Sequence, residues 1–482
     1  MGTIRKNFFY NLILTISNIV FPAITFPYAS RILGPEGIGK VQFVNSFVQY
    51  FIFLAALGIP VYGIREVAKV KDDPIKLKAL FTTLLILNFS TAIIISIIYC
   101  IAVLLVPMLF ADREFYAVAI LMLSLSFCNI DWFFSGLERF KFIAARSLFA
   151  KVIFLILLFF LVKGKSDAIY YLLVTVGGAI LNNLWNIYSA RSYIDFKLYN
   201  WSDTKKHLKP LLYIFSTVVA ASIYASLDTI ILGFLKGFKA VGYYASASRI
   251  NKITIPFLTS LSTVLMPQIA HAFKNKELDK VRFLLDKSFD FVIILGIPMT
   301  IGLIVLAPEL VVLFSGPEFS PAVSAMQIMA PVVLIIGLST VWAVQILTPT
   351  ARDKENSIAV ICGLIVSVAL NFILIPRFSY LGATIANLFA ELFVMCGFAF
   401  FASKVIKLRF NLRLIIQTLL CSLLFIPVLK ILRFYLKNQN IKVCILGMCC
   451  CSLVYFFFQV FIFKNEYLKE QTKRIAQNFY FL

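Results

Sequence analysis

The sequence predicts an all-α integral membrane protein with about 14 transmembrane helices, built as two parallel six-helix repeats followed by two C-terminal helices. Three observations predict it. Hydrophobic residues make up 61% of the 482 residues and charged residues only 14%, too little charge to cover a water-facing surface. The apolar residues gather in runs long enough to cross a hydrocarbon core of roughly 30 Å. Lys and Arg, 45 in all against 23 Asp and Glu, concentrate in alternate loops.

The runs cover residues 8–30, 38–60, 79–105, 115–138, 147–162, 168–190, 210–235, 240–270, 288–307, 321–347, 358–375, 381–403, 413–432 and 443–463. The first holds Asn11, Asn18 and two prolines and leads directly into the second with no small-residue cleavage pattern, so it reads as a retained span rather than a signal peptide. The fifth is the shortest, and its Lys151 is expected near the cytoplasmic end. With a cytoplasmic N-terminus, 31 of the 45 basic residues fall on the cytoplasmic side and 14 opposite, which also places the C-terminal tail in the cytoplasm. The net charge of +22 is therefore topogenic. No loop is long enough for a nucleic-acid module or a soluble catalytic domain.

An internal repeat sets the domain boundaries. Ile32-Leu33-Gly34 with Gly37-Ile38-Gly39 corresponds to Ile231-Leu232-Gly233 with Ala240-Val241-Gly242, and Trp132 with Arg146-Ser147 corresponds to Trp342 with Asn356-Ser357. An offset of six helices preserves orientation, which describes parallel repeats. The expected lobes are residues 1–207 and 208–403, with 404–482 forming helices 13 and 14 and the tail.

Polar groups within the spans are costly and therefore informative. Asn7, Asn11, Asn18, Pro22 and Thr25 share one face of helix 1, and Gln42, Asn45, Ser46 and Gln49 form a second stripe in helix 2. Two such stripes imply a hydrated lumen; the competing reading is hydrogen bonding that only holds helices together. Pro22 and Pro27 are expected to kink helix 1. Arg249 and Lys252, about 14 and 18 Å into helix 8 at 1.5 Å per residue, share a face near the membrane midplane. Arg31 and Lys40 add a cationic rim. Together these suit an anion, a phosphate above all, unless Asp228 simply neutralises Arg249 and the rim cations snorkel. Asp131, Asp228 and Glu391 are candidates for coupling to H+ or Na+, since a buried carboxyl readily exchanges a proton.

Catalytic machinery is not expected. The nine cysteines form no CxxC pair and read as packing residues, and the two histidines, His207 and His271, lie in basic loops. No Walker A, HExxH or GxSxG pattern occurs. Neither a metal nor a cofactor is expected beyond a coupling H+ or Na+.

Tyr28-Ala29-Ser30-Arg31-Ile32-Leu33-Gly34-Pro35-Glu36-Gly37-Ile38-Gly39, Trp132-Phe133-Phe134-Ser135-Gly136-Leu137-Glu138, and the stretch from Asp228 to Arg249 with Leu232-Gly233 and Val241-Gly242-Tyr243-Tyr244 resemble the polysaccharide (Wzx-type) flippases of the multidrug/oligosaccharidyl-lipid/polysaccharide exporter superfamily. The resemblance implies two six-helix lobes in a V around a central cavity, in a bacterial inner membrane. It implies a cargo of undecaprenyl-pyrophosphate-linked oligosaccharide, moved to the periplasmic leaflet by alternating access for O-antigen, lipopolysaccharide or capsule biosynthesis. It also implies a phosphate-binding role for Arg31 and Arg249, and a polysaccharide polymerase as partner. The alternatives are a multidrug cation antiporter, a lipid-linked peptidoglycan precursor flippase and, from another class, a membrane-embedded polymerase.

Overall fold

The computed structural model describes residues 2–408, 411–436 and 439–463, excluding the side chains of residues 2–5, 8, 202–203, 216–223 and 225. The expected cytoplasmic tail after the last span lies outside the described residues. Every regular element among the described residues is helical. Among the described residues twelve helices are long and apolar enough to cross a membrane, which makes this a multi-pass membrane protein. Fourteen were expected. The first two expected runs merge in one continuous stretch, Phe9–Val70, and the seventh belongs to Trp201–Lys236, part of which lies outside the described side chains.

The chain divides into two compact units, Met1–Gly242 and Tyr243–Leu482, whereas the sequence placed the lobe boundary after residue 207. The first unit contains α1 (Gly2–Ala56), α2 (Ile59–Val70), α3 (Pro74–Leu105), α4 (Arg113–Ser124), α5 (Asp131–Gly136), α6 (Phe140–Leu161), α7 (Ala168–Ala190) and α8 (Trp201–Lys236). α8 joins this unit because it packs on α1, α2 and α3. Tyr62 of α2 also hydrogen-bonds His207 of α8, with 2.6 Å between the hydroxyl and Nδ1.

α1 explains the merged run. Its one departure from helical backbone is Gly34, at φ 67° and ψ −179°. Gly34 takes the left-handed φ without a Cβ penalty, and Pro35 excludes the α conformation from the residue before it. Pro22 and Pro27 keep helical dihedrals, and the departure from helical backbone falls at the glycine. Just beyond it, a Cβ on Gly39 would overlap the Phe238 carbonyl, and one on Gly242 would overlap the Pro35 carbonyl. Gly242 follows Gly39 by 203 residues and Phe238 follows Pro35 by the same 203. The contact is reciprocal, and it joins the two segments the repeat had paired.

α3 starts where Asp73 accepts hydrogen bonds from the Lys76 and Ile75 amides, each at 3.1 Å. The Lys76 amide, and then its ammonium, hold the Asp73 carboxyl below the usual range. α2 packs Ile59, Tyr62 and Val67 into a core with Leu77, Phe81, Leu84, Trp132 and Phe133. α6 begins at Phe140 rather than near 147. Lys151 therefore lies 11 residues from one end and 10 from the other, not near the cytoplasmic end where the shorter run had placed it.

The second unit holds most of α9 (Phe238–Lys274), then α10 (Leu278–Val305), α11 (Ala307–Ser315), α12 (Ala322–Met329), α13 (Pro331–Trp342), α14 (Asp353–Phe378), α15 (Tyr380–Ser403), α16 (Leu412–Leu423), α17 (Phe425–Leu436) and α18 (Asn440–Phe457). The last three helices are part of this unit's core. Cys421, Phe425, Leu429, Cys451 and Tyr455 pack with Ile294 and Leu306, and the Tyr455 hydroxyl donates to the Ile294 carbonyl at 2.7 Å. Arg433 clamps the buried Glu309 through both carboxylate oxygens at 2.6 and 2.8 Å. It also donates to the Val305 carbonyl at 2.6 Å. Arg433→Met should lower unfolding free energy by about 2 kcal/mol in a detergent melt, less than a fully buried pair costs because Arg433 is 37% exposed. An unchanged melt would show that the clamp contributes nothing.

Candidate functional site

The first half of α1 has two opposed faces. Phe9, Leu12, Ile16, Val20 and Ile24 are exposed and form the apolar stripe a lipid-facing helix needs. Asn7, Asn11, Asn18, Pro22 and Thr25 are centred about 180° away at 3.6 residues per turn. Asn11 and Asn18 on that second face are themselves exposed. An exposed amide stripe opposite the lipid face needs water or polar cargo against it.

Lys151 reaches the edge of this stripe. Its ammonium donates to Ser17 Oγ at 2.7 Å and to Asn18 Oδ1 at 2.6 Å, with the Phe21 ring 5.7 Å away. The sequence marked Asn18 as a candidate and placed Lys151 near the cytoplasmic end, outside the candidate set. The signal was the run from Phe140: starting the helix there puts Lys151 at its centre, about 15 Å from either end.

The other candidates in this unit differ in how they are engaged. Lys40 pairs with Asp112 at 2.5 Å and lies over the rings of Phe115 and Phe238 at 4.7 and 5.5 Å. Gln42 Nε2 donates to Ser46 Oγ at 3.4 Å, and Asn45 and Gln49 are half-buried. Arg31 is exposed on the α1 turn before Gly34. Asp228 is buried in α8, within electrostatic range of Tyr50.

Asp131 anchors a network at the start of α5. It accepts from Arg146 Nη2 at 2.6 Å and from Asn186 at 3.0 Å, while Arg146 Nε donates to Asn182 at 2.8 Å. The Arg146 side chain is 1% exposed and Asp131's is 41%. Arg146 Nη1 and Asn186 Oδ1 are buried without a partner in this structure. The sequence offered Asp131 as an ion-coupling carboxyl and used Arg146 only as a repeat marker and a loop charge. The geometry makes the two one ion pair between α5 and α6.

In the second unit, Arg249 is half-buried and Lys252 exposed, one turn apart on α9. Asn251 between them is buried and donates to the Ala247 and Met326 carbonyls at 2.9 and 3.3 Å, which fixes the rotation of the helix that carries both cations. Glu391 is half-buried midway along α15. A π-helical turn, Ala343–Leu347, buries Gln345, both of whose amide atoms lack a partner among the described residues, and no sequence pattern marked it. Among the described residues no cluster of His, Cys, Asp and Glu is arranged to hold a metal ion.

Known proteins resemble this chain in sequence and in fold. The chain is 25% identical over 407 residues, 81% of its length and 95% of the relative's, to an Escherichia coli K12 protein titled "Putative O-antigen transporter". It is 28% identical over 237 residues, 46% of each chain, to "Probable flippase AglR" of Haloferax volcanii. Its fold matches a solved lipid II flippase MurJ, in an inward closed conformation, with a TM-score of 0.79 at 14% identity, covering 95% of this chain and 99% of that one. A MatE family model matches residues 214–373. The model described as polysaccharide biosynthesis protein matches residues 4–273, a span that takes in the amide stripe, Lys151 and Arg249, and with more than half its length so matched the chain belongs to the polysaccharide biosynthesis protein family.

Proposed function

We propose that this protein is a flippase that carries undecaprenyl-pyrophosphate-linked oligosaccharide from the cytoplasmic to the periplasmic leaflet of a bacterial inner membrane for O-antigen or capsule-type polymers. The observation that carries the reading is the exposed amide stripe of α1 opposite its lipid-facing stripe. A pyrophosphate with sugars attached is prohibitively costly to drag through hydrocarbon. A strip of amides and cations replaces its hydration while the lipid tail stays in the bilayer. Family membership and the relatives titled as transporters and flippases support the same class.

In this reading Arg249, Lys252 and Arg31 meet the phosphates, and Asn11, Asn18, Gln42, Asn45 and Gln49 meet sugar hydroxyls. Lys40 contributes only when Asp112 releases it. Coupling to H+ or Na+ falls to Asp228 or Glu391, because Asp131 is held by Arg146. Both termini face the cytoplasm, as the distribution of basic residues requires. A polymerase that extends the flipped units is the partner this cargo calls for.

Leaflet-resolved measurement of the lipid-linked oligosaccharide in cells depleted of the protein tests the proposal. Accumulation on the cytoplasmic side, relieved by wild type but not by Arg249→Ala present at normal membrane levels, is the expected result. Surface polymer of normal amount in depleted cells would overturn it. A cation-drug exporter, the reading favoured by the MatE match, would then take its place.

A further inference from the structure

The geometry points to Lys151 as a mid-membrane binding site for the phosphate of a polyprenyl-linked cargo, an inference that rests on the flippase reading. Three features carry it. Lys151 is at the centre of a spanning helix of 22 residues, the depth at which an ionisable side chain is costliest. Its partners, Ser17 Oγ and Asn18 Oδ1, are neutral oxygens, so they orient the ammonium without cancelling its charge. Two other cations of this unit, Lys40 and Arg146, face carboxylates, whereas among the described residues no carboxylate pairs with Lys151.

The surroundings define the ligand. Ser17 Oγ donates to the Leu14 carbonyl at 2.7 Å, which leaves its lone pairs to receive Lys151. An ammonium has three donors; two are aimed at α1, and the third is available to an anion beside the exposed amides of Asn11 and Asn18. A compact anion that accepts several hydrogen bonds fits, and a phosphate or pyrophosphate is that chemistry. Depth separates the two sources of such a group. A resident phospholipid holds its phosphate at the interface, about 15 Å from the centre of the helix, whereas a phosphate in transit must pass the middle.

A structural role makes the opposite forecast for folding. If Lys151 only tied α6 to α1, Lys151→Met would loosen that pair. If the charge is kept for a ligand, the apolar replacement removes a desolvated cation and leaves the melt unchanged or raised.

The test uses the purified full chain in zwitterionic nanodiscs, with farnesyl pyrophosphate as probe and farnesol as its uncharged control. Farnesyl pyrophosphate should bind wild type at least tenfold more tightly than Lys151→Met, and Lys151→Arg should recover most of the difference. Farnesol should bind all three alike, with no fall in melting temperature. Equal pyrophosphate affinity in wild type and Lys151→Met would overturn the site while leaving the flippase reading intact. Equal loss of farnesol and farnesyl pyrophosphate would overturn it in favour of packing. Abolition of binding by phosphatidylglycerol in the nanodisc would overturn it in favour of a resident headgroup. Failure of wild type to bind the pyrophosphate at all would overturn both.

Discussion

Asp131→Ala is expected to lower unfolding free energy by about 3 kcal/mol, the low end of what breaking a buried ion pair costs. The size follows from the asymmetry of the pair. Arg146 is 1% exposed and Asp131 41%, so removing the carboxylate strands a guanidinium that cannot return to water. Nη1 already lacks a partner, and only the Asn182 bond to Nε would remain. Arg cannot shed its proton to escape. Arg146→Met on the same background removes the stranded charge and should recover at least half of the loss. Thermal or denaturant unfolding in a mild detergent measures both variants. A loss under about 1 kcal/mol for Asp131→Ala, or no recovery in the double variant, would mean the pair does not hold α5 to α6 in this way.

The second large effect belongs to the reciprocal glycines. Gly39→Ala places a methyl on the Phe238 carbonyl, and Gly242→Ala places one on the Pro35 carbonyl. Both obstacles are main chain, so no rotamer change relieves them, and each substitution should cost about 3 kcal/mol, the upper end of ordinary overpacking. Gly302→Ala is the control. It lies inside α10 with nothing within 4 Å of an added Cβ, and alanine is the better helix former, so stability should hold or rise by a few tenths of a kcal/mol. Equal behaviour of all three in a detergent melt would show that the backbones at Gly39 and Gly242 separate freely.

Most of the spans were legible because hydrocarbon imposes one solution, a run of apolar residues of fixed length with its backbone satisfied internally. The close approach falls at Gly39 and Gly242, the two glycines that the proposed repeat had paired. The misplacements share a cause. Arg146 and Lys151 were read as charges that set topology, which shortened α6 to a start near 147 and moved Lys151 away from the membrane centre. A charge count cannot tell an arginine in a loop from one buried against Asp131; that difference arises only when α5 and α6 pack. Pro22 and Pro27 stay within helical dihedrals, as a membrane helix tolerates proline when neighbours satisfy the freed carbonyl, whereas the positive φ at Gly34 depends on the turn built around it. Lys40 was read as part of a cationic rim because its partner Asp112 is 72 residues away in the chain.

The central position of Lys151 bears on how the chain is made. A lysine at mid-helix costs roughly 2.5–3.5 kcal/mol to hand from the translocon to lipid, and each large apolar residue offsets about 0.3–0.6. The 15 Leu, Ile, Val and Phe residues between Phe140 and Leu161 make release of α6 feasible, but Lys151 makes a solitary stay in lipid unfavourable. Ser17 and Asn18 are synthesised more than 130 residues earlier, so the oxygens that receive the ammonium are already in the membrane when Lys151 leaves the ribosome. The order of the helices along the chain is thus also a workable order of assembly, with the acceptor delivered before the donor.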